Sequence, residues 1–308
     1  MRACDVELHV ARAGEGPAVI LLHGFPENWT SWRHQIPALV AAGYSVLAPD
    51  MRGYNLSDRP AMVEDYKLRL LIDDIAELVR ATPNKRAYIV GHDWGGVIAW
   101  TFAGAYPELV EKLVIMNAPH MYLYRKLLRS PEQLRRSWYV ALFRIPHLAE
   151  TLLRFNDYRA IRRTFANGPA RAGTFSDADI DAYVDALRPD GALTAMLNYY
   201  RAMSVPGSMD IARQARVECD TLVIWGDLDP ALSLRLLVDL DEVAPLVQLE
   251  RIPTAGHWVQ NEAPEDVNRL MLAFLKAPPS PPKDRPVFSP ILPLHATRIF
   301  KGRKHLLQ

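Results

Sequence analysis

The 308 residues are 49% hydrophobic and 23% charged, an ordinary balance for a soluble globular chain of one or two domains. A formal charge of +1 gives no case for nucleic acid or an acidic surface as partner, and the two cysteines, Cys4 and Cys219, lack metal-ligand spacing and suggest free thiols in a reducing, cytoplasmic setting. The first residues have no apolar core like that of a signal peptide and no run is long enough to cross a membrane, so the expectation is a cytoplasmic monomer or homodimer without a membrane partner.

Residues 6–12 alternate apolar and polar and read as a strand, turned back by Gly14-Glu15-Gly16-Pro17. Ala18-Val19-Ile20-Leu21-Leu22 is a continuous apolar strand of the kind covered on both faces in a parallel sheet, and it runs into His23-Gly24-Phe25-Pro26. Next come an expected helix over 30–42, a strand over 44–49, and a helix over 68–81 with Asp73, Asp74 and Glu77 on its wet face. A strand over 86–90, a helix around 97–103 and a strand over 112–116 follow, and such alternation means a parallel, doubly wound sheet. From about Pro119 to Ala212 only helical segments are found, at 131–143, 146–155, 157–166, 176–187 and 192–203. Pro131 and Pro146 suit a first helical turn, and Ser176 with Asp179 resembles a capping pair. A strand over 221–225, a helix over 232–244, a strand over 247–252 and a closing helix over 264–276 resume the pattern. The expected division is a core over 1–118 and 213–277, a helical cap over 119–212, and a Pro-rich tail over 278–308. Seven prolines and six Lys or Arg against Asp284 alone argue that this tail is poorly ordered or laid over the surface.

Gly91-His92-Asp93-Trp94-Gly95-Gly96 sits between a strand and a helix with the spacing of the nucleophile elbow G-x-S-x-G, but with Asp93 where a serine would stand. A carboxylate attacks carbon directly and forms an ester without first losing a proton to a base. Attack on an acyl carbonyl would give an unstable anhydride, so the natural targets are sp3 carbons with a leaving oxygen or halide: epoxides and alkyl halides. The competing reading of Asp93 is a helix N-cap.

An ester must also be broken, which needs a general base for water. His257, in Ala255-Gly256-His257-Trp258 after the last expected strand, falls at the carboxyl edge of the sheet and comes last in the order nucleophile, acid, histidine. Trp225-Gly226-Asp227-Leu228-Asp229-Pro230 offers two acids; Asp229 is chosen and Asp227 read as a turn residue, while Asn117 at another strand end cannot hold the charge that stabilises an imidazolium. Backbone N–H groups of Phe25 and Trp94 would face the ester carbonyl oxygen as an oxyanion hole, with a possible cis bond at Pro26.

In this order His23-Gly24-Phe25-Pro26-Glu27, Asp50-Met51-Arg52-Gly53-Tyr54, Gly91 to Gly96 and Gly256-His257-Trp258 resemble the α/β-hydrolase-fold epoxide hydrolases, over roughly residues 5–276. The resemblance implies the α/β-hydrolase fold, a mostly parallel doubly wound sheet with an all-helical cap inserted after the sixth strand, and hydrolysis of a small hydrophobic epoxide to a vicinal diol without metal or organic cofactor. It also implies two cap tyrosines that protonate the epoxide oxygen: Tyr200, in Asn198-Tyr199-Tyr200-Arg201, and Tyr139, seven residues before Pro146. A phenol can donate to an alkoxide as it forms. Tyr199 lies about 100° round the helix from Tyr200, and Tyr122 and Tyr124 are rivals nearer the hinge. Trp29, Pro26, Trp138, Phe143, Met196 and Trp258 are expected to line an apolar cavity. Haloalkane dehalogenases share the Asp nucleophile, but many place Asn where this chain has Phe25; fluoroacetate dehalogenases usually carry Arg where it has Trp94. A non-catalytic binding protein of the same fold usually shows a broken triad, whereas all three members are present here.

Overall fold

The computed structural model describes residues 1–280, so the expected tail lies, from 281 onward, outside the described residues. The strand expected over 6–12 is divided. β1 (Arg2–Ala3) and β2 (Val6–Glu7) form a short antiparallel pair, and β3 (Val10–Ala13) joins the main sheet, with the His9 carbonyl accepting from the Asp50 N–H at 2.9 Å between them. The main sheet contains β3, β4 (Ala18–Leu22), β5 (Ser45–Pro49), β6 (Ala87–His92), β7 (Val110–Met116), β8 (Thr221–Gly226) and β9 (Val247–Ile252), in the order β3-β5-β4-β6-β7-β8-β9. Only β3 is antiparallel to its neighbour. Every residue of β4 and β8 is buried, as continuous apolar strands covered on both faces require.

One face is covered by α2 (Leu68–Arg80) and α3 (Trp94–Ala105), the other by α1 (Gln35–Ala41) and, from the C-terminal end, α11 (Pro264–Lys276). The helix expected over 30–42 is two pieces, a 3-10 turn at Trp29–Trp32 capped by Asn28, then α1. Over 232–244 the expected helix does not form. Two 3-10 turns, Leu234–Leu237 and Leu240–Glu242, are separated by Asp239 at φ +65°, and Leu232, Leu236, Leu240 and Val243 reach the core from this broken path.

The helical segment leaves the sheet after β7, the fifth strand of the main sheet rather than a sixth. It comprises α4 (Met121–Leu127), α5 (Pro131–Arg136), α6 (Trp138–Phe143), α7 (Leu148–Asn167), α8 (Asp177–Asp185), α9 (Ala192–Ala202) and α10 (Asp210–Gln214). The helix expected over 131–143 breaks at Ser137, and α7 is interrupted by non-helical backbone at 155–158, between two expected helices. Ser176 and Asp179 form the reciprocal cap of α8. Two short helices, α4 and α10, were not legible in the periodicity. Among the described residues no helix is long and apolar enough to cross a membrane.

From β4 the chain pairs β5 on one side and returns to place β6 on the other, so the strand order reverses between β4 and β6. Loops at the carboxyl ends of these strands part at such a point and leave a crevice for ligands.

Candidate active site

Asp93 occupies the top of β6 with φ +50° and ψ −120°, a backbone shape that aspartate rarely adopts. The tightness around it explains the small residues. A Cβ on Gly95 would stand 2.1 Å from the Leu22 carbonyl oxygen, and one on Gly24 2.5 Å from the Cβ of Asp93. Asp93 sits at the N-cap position of α3, yet its side chain makes no capping bond. Its Oδ1 instead accepts the Phe25 N–H at 2.9 Å, and its Oδ2 lies 3.8 Å from His257 Nε2. Trp94 follows as the first residue of α3, and the Phe25–Pro26 bond is cis.

On its other side His257 Nδ1 meets Asp229 Oδ2 at 2.7 Å. Oδ1 of Asp229 accepts the N–H groups of Ala231 and Leu232 at 2.8 and 2.9 Å. Burial alone would raise the Asp229 carboxyl, but the His257 charge and these donors hold it below the ordinary carboxylate range. Burial likewise works against a charged His257, and Asp229, followed by Asp93 and Glu27, more than reverses this, to about 9. Asp227 points elsewhere, in a forked pair with Arg251 at 2.7 and 2.8 Å.

The roles of three supporting groups escaped the reading of the sequence. Asn117, fully buried at the end of β7, donates to Asp229 Oδ2 at 2.9 Å and accepts the Gly226 N–H at 2.8 Å. Glu27 and His92 form a buried pair at 3.0 Å, and the other ring nitrogen of His92 donates to the His257 carbonyl at 2.9 Å. Glu262 accepts the N–H groups of Gly256 and Trp258, on either side of His257, and that of Ala170 from the cap. Glu27 stood inside a quoted motif; neither Asn117 nor Glu262 carries a local signal, because their partners are set only by strand pairing and loop closure.

Above Asp93 lies a cavity of about 430 Å³ lined by Phe25, Pro26, Trp138, Tyr139, Leu142, Phe143, Leu152, Tyr200, His257 and Trp258, among others. Tyr139 and Tyr200 approach each other with ring centroids 6.2 Å apart, and Tyr200 packs on Phe25 and Trp94. Burial, then the Asp93 carboxylate, pushes both phenols well above their ordinary value. Tyr199 turns away, donating to the Arg52 carbonyl at 2.8 Å. Tyr124 bonds Ser137 at 2.8 Å, and Tyr122 lies beside the cations of Lys126 and Arg216. Two expected lining residues are corrected. Trp29, half-buried, packs against the core beneath the opposite face of the sheet, with its backbone N–H donating to Asp50 at 3.1 Å, and Met196 is fully buried within the core on the inner side of α9.

This fold and this crevice define an α/β hydrolase, and the family model described as the alpha/beta hydrolase fold matches residues 17–264. The AB hydrolase superfamily protein YfhM of Bacillus subtilis is 40% identical over 274 residues, covering 88% of this chain and 95% of that protein. Epoxide hydrolase 3 of Xenopus tropicalis is 37% identical over 284 residues, 90% of this chain and 76% of the relative. The crystal structure of a Bacillus megaterium epoxide hydrolase in complex with an inhibitor superposes with a TM-score of 0.82 at 31% identity, over 90% of this chain and 99% of that one. The chain belongs to the epoxide hydrolases of the α/β-hydrolase fold.

Proposed function

We propose that the protein converts a hydrophobic epoxide and water to a vicinal diol through an ester on Asp93. The observation that carries this reading is convergence on one carboxylate. Asp93 receives the Phe25 N–H on Oδ1, faces His257 with Oδ2, and shares its cavity with two protonated phenols.

In the first half-reaction Oδ2 attacks the less hindered epoxide carbon. The carbon–oxygen bond breaks, and the leaving alkoxide takes a proton from Tyr139 or Tyr200. Oδ1 becomes the ester carbonyl oxygen. In the second, His257, oriented by Asp229, takes a proton from water and the hydroxide adds to the Asp93 carboxyl carbon. The oxyanion forms on Oδ1, against the Phe25 N–H and with the Trp94 N–H as second donor. Collapse expels the diol, whose oxygen takes the proton from His257; the remaining water proton, on the regenerated Asp93 carboxyl, returns to His257, which had given its own resting proton to the phenolate before acting as base. The apolar lining of Trp138, Leu142, Phe143, Leu152 and Trp258 suits aryl or alkyl oxiranes.

His257→Gln tests this directly. With styrene oxide the variant should accumulate an adduct on the Asp93 peptide equal in mass to the substrate. Undiminished turnover, or an adduct on another residue, would overturn the assignment.

A further inference from the structure

The whole-chain charge of +1 conceals a segregation. Residues 121–167, from the start of α4 to the end of α7, hold ten Lys and Arg against three acidic residues. Several of these cations are used internally: Lys126 pairs with Asp239 and Glu242, and Arg162 with Asp157 and Asp181. Arg129, Arg135, Arg144 and Arg154 are exposed and have no carboxylate partner among the described residues, whereas Arg159 and Arg163 line a pocket shared with Asp157, Asp177 and Asp181.

The same stretch gathers exposed apolar side chains. Half of the large hydrophobics that stand exposed among the described residues fall between 134 and 155: Leu134 (63%), Trp138 (65%), Ile145 (47%), Leu148 (44%), Leu152 (47%) and Phe155 (70%). Leu148 and Leu152 stand one helical turn apart on α7, with exposed Phe155 following where the helix is interrupted, while Ala149 and Leu153 turn inward. α6 packs against α7, which sets Trp138 beside those exposed side chains, and both Trp138 and Leu152 also line the cavity. The apolar surface is therefore continuous with the mouth of the site.

We propose that this face of the cap docks on an anionic phospholipid surface. Apolar side chains interleaved with unpaired arginines suit the headgroup boundary, where the former enter the acyl region and the latter meet phosphates. A second copy of the chain fits less well, because a two-fold contact would set the same arginines against one another. Docked so, the cavity mouth faces the bilayer, and an apolar epoxide dissolved in lipid enters without crossing water. The proposal revises the expectation of no membrane partner, which rested on net charge and on the lack of a membrane-spanning run, neither of which registers a local basic and apolar face. Docking itself does not depend on the reaction assigned above.

Sedimentation of the full chain with phosphatidylglycerol–phosphatidylcholine vesicles, against phosphatidylcholine alone, tests it. The chain should bind the mixed vesicles, prefer them strongly, and release in high salt. Arg144→Glu with Arg154→Glu should lower the partition coefficient by at least about 25-fold, at about fivefold for each arginine lost. Leu148→Ser with Phe155→Ser should weaken binding in both low and high salt. All four positions lie outside the cavity lining, so turnover of dissolved styrene oxide should be unchanged and report intact folding. Absence of any anionic preference would overturn the proposal, as would equal binding by the variants, which keep residues 281–308 and every other surface unaltered. A dimer in sedimentation velocity that the same substitutions split, without vesicle binding, would assign the patch to a second copy instead.

Discussion

Asn117→Ala should separate the two proposed half-reactions. The Asn117 side chain is fully buried and lies between the donor Gly226 N–H at 2.8 Å and the acceptor Asp229 Oδ2 at 2.9 Å, the oxygen that also holds His257 Nδ1. Its backbone has φ +38°, which asparagine tolerates better than alanine. Truncation leaves one buried N–H unpaired, at roughly 1–3 kcal/mol, and removes a bond to a charged acceptor, at roughly 1.5–3 kcal/mol. Together with the backbone strain, the expected loss of unfolding free energy is about 4 kcal/mol, measured by urea denaturation. Asp229 keeps its two bonds on Oδ1 but loses the one that fixes Oδ2. The His257-dependent step should therefore slow by about tenfold, equivalent to ~1.4 kcal/mol, while ester formation on Asp93 changes little. Acid-quenched mass spectrometry in a single turnover reads both rates. Equal slowing of the two steps, or a stability loss under about 1 kcal/mol, would refute the positioning role argued for Asn117.

Tyr139→Phe and Tyr200→Phe should each slow ester formation by roughly 10- to 100-fold, the value of one hydrogen bond to a developing charge, in a pre-steady-state assay. Folding should be nearly unaffected, since the rings keep their contacts with Phe143 at 5.5 and 5.1 Å; bromide release from 1-bromobutane that survives the double variant would instead point to a dehalogenase. Stability should fall with pH in a window set by His257. Its folded value, about 9, lies above the ordinary 6.5, so its contribution is fully present below about 6.5 and is lost as pH rises through about 9. Thermal melts across that window should show a steeper decline for the intact chain than for His257→Gln.

The parts of this molecule that were legible in the sequence are those whose signal is local. β4 and β8 read as buried strands because burial on both faces makes every residue apolar, and the elbow read as a turn because three glycines surround Asp93. Asp229 could be preferred to Asp227 only by order and spacing; the structure adds that Asp227 is taken by Arg251. Residues 232–244 had helical spacing of leucines, yet the chain reaches the core through two 3-10 turns around Asp239, a positive-φ position that periodicity does not register. Trp29 and Met196 were large, apolar and near the right motifs, yet Trp29 lies half-buried against the core and Met196 is fully buried in it, both away from the cavity, a choice made by packing. Net charge misled in a different way, since a sum over the chain cannot show that residues 121–167 are strongly basic.

The electrostatics of the proposed cycle also fix the order of its steps. In the resting site two carboxylates, Asp229 at 2.7 Å and Asp93 at 3.8 Å, hold a proton on His257, so the histidine is no base at neutral pH. That state suits attack, because a cation beside Asp93 does not deprotonate the incoming water and leaves the carboxylate free to meet the epoxide. Esterification removes the Asp93 charge and with it one of the interactions that keep the proton in place, just as a phenolate appears on Tyr139 or Tyr200. Transfer of the proton from His257 to that phenolate restores the donor and creates the base in one event. The base thus becomes available only once there is an ester to hydrolyse. A rapid-mix proton-release measurement with a pH indicator should accordingly find no net release or uptake during ester formation; stoichiometric uptake at that stage would mean that the phenolate is repaid by solvent and that His257 is already neutral at rest.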